Sequence, residues 1–175
     1  MAFVLALLAT APLMLGCATS MTSHAAANPA VSFAPYRTFT FGPTEGAPRG
    51  YVTSPGSAAV ERRLQPMIAE ALVERGYVEA PLGAKRDFFV MFGSGRRVVE
   101  EHDDSAVGQD WSPDDEAADF VQGSLVVDAF DAKTGVKAWH GAERADIDPS
   151  HADDAFLRRA VAALMDRFPK AATAP

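Results

Sequence analysis

Apolar and polar positions follow four rhythms along this chain, and each predicts a different kind of segment. Residues 2–16, AFVLALLATAPLMLG, are almost unbroken apolar sequence without a charge, whereas residues 17–32 are mostly small and contain no Asp, Glu, Lys or Arg. From Phe33 onward, stretches of period two and of helical period take over. In YRTFTFG, Tyr36, Thr38 and Thr40 alternate with Phe39 and Phe41, which predicts a strand. SAAVERRLQPMIAEALVERGY then places Val60, Leu64, Met67, Ile68, Ala71 and Leu72 at helical spacing, with Ser57 as a candidate cap and Gly76 as a stop. Pro66 interrupts that pattern, predicting a kink or a shorter helix that starts near it.

DFFVMFG reads as a strand buried on both faces, and the Gly-Ser-Gly at 93–95 as a bulge or bend within it. DFVQGSLVVDAFD and VKAWHGAERADI flank DAKTG, where Gly135 can supply the positive φ of a hairpin turn. PSHADDAFLRRAVAALMDRFP sets Phe156, Ala160, Val161, Leu164 and Phe168 on one helical stripe. Asp148 or Ser150 is its candidate cap, Asp153 and Asp154 suit the positive end of its dipole, and Pro169 closes it. The order is strand, helix, three strands, helix. Two amphipathic helices need an apolar surface to cover, so the expected fold is α+β. It is a single domain, with a sheet of about four largely antiparallel strands and both helices on one face.

The N-terminal apolar run spans about fifteen residues, contains Pro12 and lacks the preceding Lys or Arg usual in a signal. It falls short of the roughly 20 apolar residues a membrane-spanning helix needs, and reads as an export signal over 1–16. The lone cysteine follows at once. Met14-Leu15-Gly16-Cys17 resembles the lipobox of bacterial lipoproteins, in which the chain is cut before a cysteine that carries lipid. Ala18 stands where an inner-membrane retention Asp often sits, so the resemblance implies the outer membrane, periplasmic face. Residues 17–32 then read as a flexible tether of roughly 20–25 Å mean span. The alternative is a soluble periplasmic protein, cut at an A-x-A site formed by Ala25 and Ala27. The organisation expected is a signal at 1–16, a tether at 17–32, a folded domain at 33–170 and a disordered tail at 171–175.

Composition is that of a globular domain, 48% hydrophobic and 22% charged with eleven Phe. A net charge of −7 excludes the basic stripe a nucleic-acid binder needs, and leaves lipid rather than charge to hold the chain at an anionic membrane. With one cysteine, no disulfide forms within the chain, so its core must stabilise it unaided.

The succession YRTFTF, ALVERGY, DFFVMF, GSLVVDAFDAKTGVKAWHGAE and AVAALMDRFP resembles domain-of-unknown-function family 4136 over residues 33–169. Gly123 to Gly141 is the most specific piece: a strand, an Asp-x-x-Thr-Gly turn, then Trp139-His140-Gly141 where the family has Trp-Arg-Gly. The resemblance implies a bacterial envelope lipoprotein and brings no catalytic residues with it.

Between Glu100 and Asp119 lie nine carboxylates and no Lys or Arg. Clustered oxygens suit a hard cation, but the spacing is not that of an EF-hand loop, and His102 alone is a poor transition-metal set. A solvated loop is the plainer reading, with Trp111 as its one candidate contact residue. Asp146, Asp148, His151, Asp153 and Asp154 form a second acidic group that helix capping largely explains. Trp139 reads first as a core filler and, if it faces outward, as an interaction surface. His24 and His140 complete the histidines, and neither has a marked nucleophile or G-x-S-x-G elbow beside it.

The function expected is therefore a non-enzymatic, outer-membrane lipoprotein with no cofactor, no metal and no nucleic-acid partner. It would be held to the membrane by Cys17 and bind an envelope protein, glycan or lipid. The competing expectation is a Ca²⁺ or Zn²⁺ binding module, or a metal-dependent hydrolase, built on the acidic loop 100–119.

Overall fold

In the computed structural model, the residues described are 20–42, 57–81, 83–99, 120–146 and 153–172. The strands are β1 (Met21–Ala27), β2 (Thr38–Phe41), β3 (Val78–Glu79), β4 (Phe88–Val99), β5 (Phe120–Asp131) and β6 (Lys137–Asp146). The helices are α1 (Ser57–Glu74), between β2 and β3, and α2 (Asp154–Met165), after β6. All six strands form one sheet in the order β1-β6-β5-β4-β2-β3. β1–β6, β6–β5 and β5–β4 pair antiparallel, while β2 lies parallel to both β3 and β4.

The expected α+β architecture is present, but the sheet has six strands where about four were expected. One of the two extra strands is β3, which has only two residues. The other is β1, where a slack tether was expected. Met21 pairs with Ala145 and every residue through Ala27 continues that register, after which the Asn28 N–H donates to the Ala138 carbonyl at 2.8 Å. Asn28 then ends the strand: its Nδ2 donates to the Lys137 carbonyl and its Oδ1 accepts from the Ala30 N–H, both at 2.9 Å. The expected tail is likewise tied down at its first residue, the Ala171 N–H donating to the Arg75 carbonyl at 2.9 Å.

Both helices pack on one face of the sheet and against each other. α1 buries Leu64, Met67, Ile68 and Leu72, and passes through Pro66 without ending; the ring is on its exposed side. Gly76, at φ +90°, closes α1: its N–H donates to the Val73 carbonyl and that of Tyr77 to the Leu72 carbonyl, the crossed bonds of a Schellman ending. α2 buries Phe156, Leu157, Ala160, Val161, Leu164 and Met165. Its cap is Asp153, whose Oδ1 accepts the Phe156 N–H at 2.8 Å, rather than Asp148 or Ser150. Asp154 pairs with Arg63 of α1 at 2.6 Å, so Asp153 and Asp154 of the second acidic group serve the fold.

Aromatic rings fill the space between the layers. Phe88 is at their centre, with ring centroids of Tyr77, Tyr36, Phe39, Phe168 and Phe33 at 5.1 to 6.3 Å. Burial lifts the Tyr77 hydroxyl to about 12 despite the nearby Arg37 and Arg75. Along β4, Phe88, Val90 and Phe92 are buried, but Phe89 and Met91 on the opposite face are only half-buried, so this strand is not covered equally on both sides. Nor does Gly93-Ser94-Gly95 bulge. The β4–β5 register runs without a shift from Phe88 to Val99, and the register shift among the described strands falls instead between β5 and β6.

Candidate functional site

That register shift shapes a polar cluster on the sheet face turned away from the helices. Ala129 pairs with Trp139 and Phe130 with Lys137, so Ala138 is an extra residue in β6. Residues 137 and 140 of a regular strand would point to opposite faces. The bulge turns both Ala138 and Trp139 into the core and brings Lys137 and His140 out on the same side. Both reach Asp128, which is directly opposite His140 on β5.

Asp128 is 2% exposed. Its Oδ2 accepts from Lys137 Nζ and its Oδ1 contacts His140 Nδ1 at 2.7 Å. A carboxylate this buried costs much to desolvate, and two cationic or hydrogen-bonding partners offset that cost. The contact fixes the imidazole and leaves its second nitrogen directed away from Asp128, while about 40% of the side chain remains open to solvent. Beside the trio, Phe89 and Phe130 stack at 5.1 Å with an interplanar angle of 11°, and Lys137 Nζ is 5.4 Å from the Phe130 ring centre. Arg144, further along β6, is exposed on the same side. The open sheet face thus carries a charged, aromatic-flanked strip in which Lys137, His140 and Arg144 share one side with Asp128 and Asp146. Neither helix covers it.

On the helix side, the sequence-marked residues serve the fold. Trp139 is 1% exposed, with Phe168 at 4.9 Å, so it is core and not an interaction surface. Gly141 exists beneath it for space: a Cβ there would come 2.1 Å from the indole and 2.8 Å from Leu164 Cδ1. In the Asp-x-x-Thr-Gly turn, Asp131 Oδ1 accepts from the Lys133 and Thr134 N–H groups and the Thr134 hydroxyl, and Gly135 takes φ +71°. Its Oδ2 accepts the Tyr36 hydroxyl at 2.5 Å. That bond, with those from Thr134, draws the carboxyl down to about 2. Asp87 accepts from the Arg37 and Thr38 N–H groups and the Thr38 hydroxyl; burial would raise its carboxyl, but these donors hold it below the usual range.

Among the described residues, Glu143 is the one on the helix side with a buried polar atom that the fold leaves unsatisfied. It is 2% exposed, accepts from the Ser23 hydroxyl through Oε2, and has no partner for Oε1. Burial raises its carboxyl, against the pull of Ser23 and of Arg167.

Cys17, Trp111, His102, His151 and the acidic stretch 100–119 lie outside the described residues. His24 is exposed on β1, on the same face as His140. Among the described residues, no group of three or more His, Cys, Asp or Glu is placed to hold a metal, and no helix is long and apolar enough to cross a membrane. Asp128, Lys137, Glu143 and Ser23 were not marked by the sequence, because the strand bulge and the β1 pairing that unite them leave no local pattern.

The domain thus has two layers, with its helices on one side of the sheet and a charged strip on the bare side. The chain belongs to the DUF4136 family: the family's model, a domain of unknown function, matches residues 23–170. No curated protein matches it. Among solved structures it resembles a PDZ domain protein from Parabacteroides distasonis (TM-score 0.57, 13% identity), over 89% of this chain and 38% of that one. It also resembles the PelC dodecamer from Paraburkholderia phytofirmans (TM-score 0.50, 13% identity), over 88% of this chain and all of that one. A DUF4136 family protein from Bacteroides thetaiotaomicron aligns at a TM-score of 0.49 and 12% identity, over 82% and 92% of the two chains. At these identities the likeness is one of fold.

Proposed function

We propose that this protein is an outer-membrane lipoprotein facing the periplasm, anchored through Cys17, and that it acts as a non-catalytic binding module for an envelope component. The observation that carries the reading is the distance in sequence between Cys17 and β1. Release ahead of Cys17 leaves four residues, 17–20, before the strand begins and keeps all of β1. A cut after Ala27 would remove β1 entirely, with the Ser23 partner of Glu143 and the packing of Met21 and Ala25 against the core.

The leash is then shorter than the sequence pattern implied. Four residues reach at most about 14 Å, so the domain would be held close against the bilayer. Two or more acyl chains, at about 0.8 kcal/mol per buried CH₂, make such anchoring effectively permanent.

For docking, the reading assigns the open sheet face, where Lys137, Asp128, His140, Arg144 and Asp146 favour a polar partner and the Phe89–Phe130 pair offers a flat apolar neighbour. Two measurements test the proposal. Cys17→Ser is expected to move the protein from the membrane to the soluble fraction of lysed cells; retention in the membrane overturns the anchor. A photo-crosslinking residue at position 142, on the same side between His140 and Arg144, is expected to capture an envelope component that the Lys137→Glu, Arg144→Glu surface does not retain in pull-down. Equal capture from a helix-side position such as 163 overturns the docking face.

A further inference from the structure

β1 ends the sheet without the devices that usually close an edge. At the other side, β3 is only Val78–Glu79 and finishes on an acid. β1 has seven residues, MTSHAAA, with no proline, no Asp, Glu, Lys or Arg, and no shift in its register with β6. Edges of that length are otherwise protected by charge, proline or bulges.

Two bonds reveal which way its backbone groups point. The Asn28 N–H donates to the Ala138 carbonyl and the Asp146 N–H to the Ser20 carbonyl, so even-numbered residues of this segment bond inward to β6. Met21, Ser23, Ala25 and Ala27 therefore turn their N–H and C=O groups outward, where no described residue takes them.

We propose that this edge pairs, antiparallel, with β1 of a second copy about a two-fold axis through His24. In that register Met21 meets the partner's Ala27 and Ser23 meets the partner's Ala25, so all four outward residues exchange both backbone bonds and none is left over. A charge-free strand brings no like charges together, and its small side chains let the two sheets run on as one. His24 meets the partner's His24 at a position without mutual hydrogen bonds, where Cα atoms approach to about 4.5 Å. One strand edge is a small contact, and confinement to a membrane raises its effective concentration. In that respect only, the pairing leans on the anchoring proposed above.

The register can be tested with cysteines at exposed positions, which leave the core untouched. In envelopes treated with a mild oxidant, the full chain carrying His24→Cys is expected to give a species of twice the mass. Its yield should be at least about tenfold above Thr22→Cys, Ala26→Cys or the unsubstituted chain, which sets the contribution of Cys17. Thr22→Cys combined with Ala26→Cys is expected to link as well, because in this register each faces the other. The same variants are also oxidised as concentrated Cys17→Ser protein. A His24→Cys link there but not in envelopes overturns the anchoring and upholds the pairing. No link in either setting, a link of His24→Cys to a different protein, or equal yields at positions 22, 24 and 26 overturns the pairing.

Discussion

The indole of Trp139 lies on Gly141, two residues along the same strand, so closely that a methyl group there would stand 2.1 Å from the ring. β6 therefore uses one residue for bulk and leaves the next inward one without a side chain, which accounts for a glycine two residues after the tryptophan in this chain. Phe168 closes over the indole from beyond α2, at 4.9 Å.

Gly141→Ala is accordingly expected to destabilise the domain by about 3 kcal/mol, the upper end for an overpacked core. Trp139→Leu, at a cost of its own, makes room for that methyl. The double variant should be more stable than the sum of the two single losses by at least about 1 kcal/mol, read from urea unfolding midpoints.

Asp131 joins the hairpin turn to Tyr36, and the Tyr36 hydroxyl and Thr134 hold its carboxyl at about 2, below an ordinary 3.8. A carboxyl depressed by folding contributes stability that is complete above its unfolded value and is lost as pH falls through the folded one. Asp131→Asn should lower the unfolding midpoint at pH 6, and the gap to the parent should close between about pH 4 and pH 2.

Glu143 carries the opposite sign. Burial raises its carboxyl, so its contribution is complete below the unfolded value and is lost as pH rises through the folded one. Glu143→Gln keeps the Ser23 contact without the charge. Measured against the parent by thermal unfolding, it should gain relative stability as pH rises above about 4.5, the ordinary value of the carboxyl; a gap that is constant with pH would leave Glu143 without this role.

A chain that starts at Asn28 lacks β1. It is expected to lose at least about 2 kcal/mol, from the half-buried Met21, the strand ladder and the uncovered Glu143. Urea unfolding of this form against one starting at Ala18 gives the difference; equal midpoints would make the strand dispensable.

The elements that bury a face were legible, because burial imposes a period. Phe88, Val90 and Phe92 alternate, and Leu64, Ile68 and Leu72 recur at helical spacing, since each must reach the layer between sheet and helices. β1 was not, because an edge strand of Ala, Ser and Thr over a thinly covered margin needs no large side chain, and its identity resides in its partner β6. The Asp128 cluster was hidden for a related reason. A single extra residue at Ala138 decides that Lys137 and His140 share a face, and nothing around Ala138 in the sequence marks the bulge. Trp139 was marked for the right cause, a large ring beside a glycine, and its direction followed only from the strand's place under α2.

The most direct test of the whole reading is the intact mass of the mature chain extracted from envelopes. The reading predicts an N-terminus at Cys17 with thioether-linked diacylglycerol and an amide-linked acyl chain. An unmodified polypeptide beginning at Asn28 would contradict it.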